Sequence, residues 1–216
     1  MDIRLDGRAR AAVLFTLLLT ATTAHAAVLL DFDFEYPDGT FTLAPSLRAD
    51  GIASAVWSDA RGLIADFAGQ PGRALATSGF TTGNVLMLAV TTAAGLHLAA
   101  ETLGFDLRVS SSGPTAWRVE SAGTLLGEGQ ATTKFERFAV DLRSLFPGAA
   151  LTLVLGGSGA TAASGTLRLD NVELYGSLQP VPVPVPLPGP LFLLVTPLLG
   201  LTLRAGNRRR AGVQPG

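Results

Sequence analysis

Three carboxylates alternate with apolar residues at the start of the chain: Asp31, Asp33 and Glu35. A period of two is typical of a β-strand, on which the three carboxylates share one face with neighbours ~7 Å apart. Their oxygens are hard ligands that could bind Ca²⁺. The alternative interpretation is a solvated strand face without chemistry.

Near residue 170 the apolar alternation changes phase. It holds up to Leu169 and resumes at Val172, out of step by one residue. Because such a slip would turn the following side chains to the wrong face, it predicts a β-bulge at Asp170-Asn171 that restores the register.

The bulge could also complete a calcium site. Asp31 or Asp33, together with Asp170 and the Asn171 carbonyl, would supply hard oxygen ligands that join the first and last strands. The alternative is that Asp170-Asn171 serves only the bulge. No other cofactor is expected.

Four aromatic side chains carry a polar group and could stack on a sugar ring. Trp117 alternates with Arg118 beside a Ser-Gly-Pro loop, so it is the preferred candidate for a glycan site. A core tryptophan is the competing interpretation. The four residues are Tyr36, Trp57, Trp117 and Tyr175.

Composition excludes several classes of site. The chain has no cysteine and two histidines, of which only His97 lies beyond the expected signal peptide. Disulfides and histidine-based zinc sites are therefore excluded. Residues 27–180 hold 15 acidic and 9 basic side chains, a net charge of −6, which argues against nucleic-acid binding.

The middle of the chain, residues 27–178, predicts one all-β domain. About ten short alternating runs are separated by turn signals, which favours an antiparallel β-sandwich of jelly-roll or galactose-binding-like type. Only residues 93–103 show any helical periodicity, and Gly95 weakens it.

The first 26 residues predict a signal peptide. Arg4, Arg8 and Arg10 precede an apolar stretch at 11–20 and a small-x-small site that ends at Ala26. An apolar stretch of about ten residues is too short to span a bilayer. The protein is therefore expected to be exported, with cleavage after Ala26.

The C-terminus has three parts in order. Alternating prolines in 179–190 predict an extended spacer, because proline fixes φ and lacks an N–H donor. Residues 191–216 contain an apolar run at 191–203 and an arginine cluster at 208–210. That run is ~20 Å long as a helix, short of a full membrane span.

This C-terminal pattern resembles the PEP-CTERM sorting signal of Gram-negative bacteria that make exopolysaccharide, in its VPLPA variant. The motif residues are Val185, Pro186, Leu187, Pro188 and Gly189, the last standing where the variant usually has alanine. The resemblance implies transient association with the inner membrane and processing by an exosortase, a membrane transpeptidase. It also implies delivery to the cell surface or an exopolysaccharide matrix.

Two stretches of the predicted domain, 103–108 and 167–174, resemble strands of galactose-binding-like and carbohydrate-binding jelly rolls. Residues 31–35 also look like the E-x-D-x-E strand of laminarinase-type glucanases, with Asp31 at the first position in place of Glu. That second resemblance would make Asp31, Asp33 and Glu35 catalytic.

The sequence favours an exported, non-enzymatic protein of the cell surface or matrix, structural or adhesive in role and weakly glycan-binding. Exopolysaccharide and the exosortase are its expected partners. The alternatives are a secreted glucanase that uses the three carboxylates and a single-pass envelope protein that keeps its C-terminal anchor.

Overall fold

A computed structural model describes residues 26–182. Most of the expected signal peptide, the motif at 185–189 and the segment at 191–216 lie outside these residues. The chain divides into a compact unit that ends at Val181 and a second unit that begins at Pro182, and only the first is described below. Within 26–182, no helix is long and apolar enough to cross a membrane.

The described residues form twelve β-strands and one short 3₁₀-helix, Phe80–Thr82. The strands are β1 (Ala27–Phe32), β2 (Leu47–Arg48), β3 (Ile52–Asp59), β4 (Ala65–Ala68), β5 (Arg73–Thr77), β6 (Val85–Thr92), β7 (Leu96–Val109), β8 (Ala116–Ser121), β9 (Thr124–Gln130), β10 (Glu136–Asp141), β11 (Ala150–Ser158) and β12 (Leu167–Pro180).

The strands pair into two antiparallel sheets, which confirms the predicted all-β sandwich. The larger sheet has the order β10-β7-β12-β1-β2, with β5 also paired to β12 and β4 to β5. The smaller sheet has the order β3-β6-β11-β8-β9. The weak helical pattern at 93–103 was misleading, because Gly95 forms a turn at φ 80° and β7 begins at Leu96.

Alternating apolar residues from both sheets form the core, which contains no disulfide. In the larger sheet Leu107 and Leu174 are fully buried, and in the smaller sheet Leu86 and Leu88 are. Burying a side chain of this size contributes about 1.5–3 kcal/mol. Hydrophobic burial rather than disulfide bonding therefore stabilises the domain.

The predicted bulge in β12 is confirmed. The register of β12 against β7 shifts between Asp170 and Glu173, and Asn171 adopts φ 46°. Asparagine tolerates this left-handed conformation better than most residues, because its short polar side chain can hydrogen-bond locally.

Both ends of the described domain lie at the same end of the sandwich. Ala27 at the start of β1 pairs with Gly176 in β12, and the Val181 N–H donates to the Gly95 carbonyl at 2.9 Å. From there β1 runs towards the bulge, where Phe32 pairs with Val172. The residues that follow β1 are thus carried away from the ends of the described domain.

Candidate functional site

An open pocket of about 560 Å³ lies just beyond the end of β1. Four pieces of chain form its wall: residues within 33–37, residues within 42–46, Pro71, and Asn171. Tyr36 is 49% exposed at this pocket. The wall therefore combines an accessible aromatic ring with the carboxylates of Asp33 and Glu35.

A tight turn after Tyr36 sets the position of its ring. The Tyr36 N–H donates to the Thr40 carbonyl at 2.8 Å, and the Gly39 N–H donates to the Tyr36 carbonyl at 2.8 Å. Asp38 accepts bonds from the Thr40 hydroxyl and N–H, and the hydroxyl bond foremost lowers the pKa of Asp38. The Pro37-Asp38-Gly39 turn therefore holds the backbone of Tyr36 while leaving its side chain in solvent.

The three N-terminal carboxylates do not lie on one continuous strand, contrary to the prediction. β1 ends at Phe32, and Phe34 adopts φ 56°. The burial alternation nevertheless continues, because Phe34 is buried and Asp33 and Glu35 remain half-buried. The left-handed residue turns the chain out of the sheet and places Asp33 and Glu35 at the pocket.

Both pocket carboxylates hold backbone N–H groups. One oxygen of Asp33, Oδ1, accepts from the Glu35 N–H at 3.2 Å, and Oε2 of Glu35 accepts from the Arg73 N–H at 3.1 Å. Gly72 packs so closely that a Cβ there would overlap the Glu35 carboxylate. Glu35 thus attaches the segment after β1 to the loop between β4 and β5.

Asp170 holds the same loop from the other side. Its Oδ2 accepts from the Gln70 N–H at 2.6 Å and its Oδ1 from the Asn171 N–H at 2.9 Å. Asp170 is 1% exposed, and burial raises the pKa of its carboxyl to about 6, with smaller contributions from Asp106 and Asp33. Pro71, next to Gln70, forms part of the pocket wall.

The bulge is also bound by Arg137. Its Nη1 donates to the Asn171 carbonyl at 2.5 Å and lies 3.5 Å from Oδ1 of Asp106, while its Nη2 pairs with Glu173. The Asn171 side-chain amide donates to Asp106 at 2.8 Å. Asn171, which lines the pocket, therefore also belongs to a network of charged side chains.

This network does not support the predicted calcium site of Asp31, Asp33, Asp170 and Asn171. The Asn171 carbonyl accepts from a guanidinium, and both Asp170 oxygens accept from backbone N–H groups. Across residues 26–182, no group of three or more His, Cys, Asp or Glu is arranged to hold a metal ion. Asp31 on β1 lies opposite Glu173 on β12. Burial raises the pKa of Asp31, and the negative charge of Glu173 raises it further.

Trp117, the preferred glycan candidate from the sequence, is a core residue. It is 5% exposed and packs edge-on against Phe105 and Phe138, at centroid distances of 5.3 and 5.0 Å. Its indole ring also covers Gly129, where a Cβ would lie 2.8 Å from Cζ2. The prediction that Trp117 presents a sugar-stacking face is wrong.

The remaining candidates do not join the pocket. Trp57 is 6% exposed and packs against Phe32 and Phe34. Tyr175 and His97 are half-buried, and His97 pairs with Gln179 at the other end of the sandwich. Tyr36 is thus the aromatic candidate that the fold exposes at a pocket.

Comparisons with known proteins concern the fold alone. No protein-family model and no curated protein matches the sequence. Among solved structures, the chain is similar to the N-terminal tandem of family 22 carbohydrate-binding modules of Xyn10C from Paenibacillus barcinonensis. The identity is 17% and the TM-score 0.47, over 76% of this chain and 50% of that one, so the chain spans about half the length of the tandem.

Two further structures show the same level of similarity. A family 29 carbohydrate-binding module in complex with mannohexaose is 10% identical, with a TM-score of 0.41 over 70% of this chain and 93% of that one. A cleaved adhesin domain of Lys-gingipain from Porphyromonas gingivalis is 16% identical, with a TM-score of 0.42 over 70% and 100%. At these values, none of the three carries an inference about function.

Proposed function

We propose that this protein is an exported, non-enzymatic module of the cell surface or matrix that binds glycan weakly through the pocket at Tyr36. The observation that carries the proposal is the exposed Tyr36 ring in a pocket that also contains the carboxylates of Asp33 and Glu35.

This arrangement suits a sugar ring. The apolar face of a sugar stacks on an aromatic ring, while its hydroxyls bond to a few polar groups around the rim. Pro37, Pro45 and Pro71 add further apolar wall. A single exposed ring in an open pocket favours weak binding, because such a site leaves much of a bound sugar in contact with solvent.

The carboxylates act as part of the wall rather than as a catalytic pair. Glycoside hydrolysis needs one carboxyl group to donate a proton and another to act as nucleophile or base across the same bond. Here Glu35 holds the Arg73 N–H, Asp33 holds the Glu35 N–H, and Asp31 on β1 lies opposite Glu173 on β12. The three carboxylates do not follow one strand, as the glucanase alternative requires, because β1 ends at Phe32 and Phe34 turns the chain. This arrangement favours binding over the glucanase alternative.

Export and sorting complete the proposal. The N-terminal signal would direct secretion, and the motif at 185–189 would be processed by an exosortase after transient membrane association. On β12 the pocket residue Asn171 lies nine residues before Pro180. At ~3.3 Å per residue the pocket is roughly 30 Å from the point where the chain leaves the sandwich.

The binding test compares Tyr36→Ala with Phe146→Ala in the full-length chain. Phe146 is 96% exposed and lies outside the pocket, so its removal controls for the general loss of a surface aromatic ring. On a glycan microarray and in affinity electrophoresis with soluble polysaccharides, Tyr36→Ala is expected to weaken binding about tenfold and Phe146→Ala to leave it unchanged. Equal binding by both variants and the wild type would place any glycan site elsewhere.

Sorting is tested by the intact mass of the protein recovered from its native host, with its cellular fraction. A chain that ends near Pro188 or Gly189, outside the inner membrane, is the expected result. A chain that retains Arg210 in the inner membrane would identify it as a permanently anchored envelope protein.

A further inference from the structure

The hydrogen-bonding groups of the Tyr36 pocket restrict its ligand class. Resting on the proposed function, we infer that the pocket takes neutral or amine-bearing glycans and rejects acidic ones such as uronic-acid polymers. The inference depends on the balance of acceptors, donors and charges in the wall.

The pocket wall has free acceptors that carry negative charge. Among the described residues, no group donates to Oδ2 of Asp33 or to Oε1 of Glu35, because the bonds to these side chains use their other oxygens. Two carboxylate oxygens thus remain available. Sugar hydroxyls and ammonium groups can both donate to them.

Donors are scarce in the same wall. Its three prolines have no N–H. The Ser46 hydroxyl donates to the Asp31 carbonyl, and the Asn171 amide donates to Asp106. The hydroxyls of Thr42 and Tyr36 are left as donors, because the Thr42 oxygen only accepts, from the Ala44 N–H. Both are neutral, and a neutral donor bonds more weakly to the carboxylate of an acidic sugar than a cation does.

Within residues 26–182, no cationic side chain belongs to the pocket wall, and the two arginines that contact its residues already bond to carboxylates. The Arg73 guanidinium bonds to Asp66 and to the Gly39 carbonyl. Arg137 bonds to Glu173, Asp106 and the Asn171 carbonyl. An acidic sugar would therefore enter beside two carboxylates, while each nearby arginine already bonds to a carboxylate, and like charges at close range repel.

The test uses an array of neutral, amine-bearing and uronic-acid oligosaccharides, probed with the full-length chain and with Tyr36→Ala. Signals lost in Tyr36→Ala are expected to come from neutral and amine-bearing glycans, with acidic glycans at least tenfold weaker. The polysaccharide backbone that binds most strongly is then prepared in neutral, aminated and carboxymethylated forms, and the binding of the three forms is compared at low and high salt. Salt should weaken binding of the aminated form and leave the neutral form unchanged.

A double variant, Asp33→Asn with Glu35→Gln, separates charge from shape. Each amide keeps an oxygen that can accept the bonds from the Glu35 and Arg73 N–H groups, and a thermal melt checks folding. The ratio of the affinity for the neutral glycan to that for the carboxymethylated glycan should fall at least severalfold in this variant. Tyr36-dependent binding of acidic glycans as strong as that of neutral ones would overturn the inference and leave the proposed function standing. Absence of any Tyr36-dependent signal would overturn the proposed function itself.

Discussion

Trp117 and Tyr36 are both aromatic residues next to turn signals, yet the fold uses them in opposite ways. Trp117 follows its turn, lies in β8 and fills the core between Phe105 and Phe138. Tyr36 precedes its turn, lies beyond β1 and is half exposed. The comparison teaches that position relative to the strand, rather than residue type, decides whether an aromatic ring stabilises the domain or is accessible to a ligand.

The largest effect is expected at Trp117. Trp117→Ala removes a buried ring that contacts Phe105, Phe138 and Gly129, and it should destabilise the domain by about 3–5 kcal/mol, as large-to-small core substitutions do. Urea unfolding followed by circular dichroism measures the loss. A change below about 1 kcal/mol would contradict the assignment of Trp117 to the core.

The next effect comes from Asp170 behind the pocket. Burial raises its pKa from 3.8 to about 6, so the folded state keeps its proton to a higher pH than the unfolded chain does. Between pH 4 and 6 this group therefore lowers stability as the pH rises, by up to about 3 kcal/mol. In Asp170→Asn that contribution disappears. The free energy of unfolding, measured in urea at several pH values, should fall less steeply between pH 4 and 6 in this variant than in the wild type, or should rise. If the two curves of free energy against pH run parallel, the assignment of Asp170 as a buried carboxyl is contradicted.

Asp59, at the end of β3, serves as a control, because its pKa is shifted in the direction opposite to that of Asp170. Burial acts to raise its pKa, but bonds from the Thr77 hydroxyl, the Leu63 N–H and other donors together lower it below 3.8. Its contribution to stability is present above pH 4 and is lost as the pH falls. In Asp59→Asn the free energy of unfolding should therefore rise less steeply with pH at the acidic end than in the wild type. This change is opposite in direction to the one expected for Asp170→Asn.

Alanine variants of two glycines, with a smaller expected effect on stability, distinguish the strain of a positive φ from the loss of a contact in the pocket wall. Gly62 and Gly72 have φ of 68° and 82°, where an L side chain is strained by about 1–2 kcal/mol. A Cβ at Gly62 meets nothing within 4 Å, whereas one at Gly72 would displace Glu35. Gly72→Ala should cost about 1 kcal/mol more than Gly62→Ala, because the bond from the Arg73 N–H to Glu35 is lost.

The same pair of glycine variants also tests the pocket. Only Gly72→Ala should weaken glycan binding, since only that change moves a side chain of the pocket wall. Equal stability and equal binding in the two variants, measured by urea unfolding and affinity electrophoresis, would remove Glu35 from the proposed site.

The smallest expected change in stability completes the comparison with Trp117. Tyr36→Ala should alter the free energy of unfolding by only about 1 kcal/mol, because about half of its side chain lies in solvent. Urea unfolding measures this directly. A loss comparable to that of Trp117→Ala would show that Tyr36 is a packing residue and would account for any binding defect as misfolding.

The sequence predicted the bulge at Asp170-Asn171 because a local rule governs it: a strand with one buried face must keep its register. It did not predict what surrounds the bulge. The Gln70 N–H that Asp170 binds is 100 residues away in the chain, and Arg137 is 34 residues from Asn171. A calcium site was a reasonable expectation from residue types, but these distant partners already occupy its expected ligands.

Tyr36 and its pocket were only partly predictable. Tyr36 belonged to the set of candidate aromatics, and the Pro37-Asp38-Gly39 turn after it was the signal that its side chain leaves the sheet. The left-handed Phe34 left no comparable signal, since bulky residues rarely adopt positive φ. Two consequences follow from it: the strand ends at Phe32, and Asp33 and Glu35 lie at the pocket.

By itself the sequence determined the all-β antiparallel class and the bulge, because alternation and turn residues act over a few neighbouring positions. The expectation of export and sorting also comes from the sequence alone. Only the tertiary structure decided which aromatic ring is buried, which carboxylates already hold N–H groups and which side chains share a pocket. These depend on contacts between strands far apart in the chain, and no local pattern specifies such contacts.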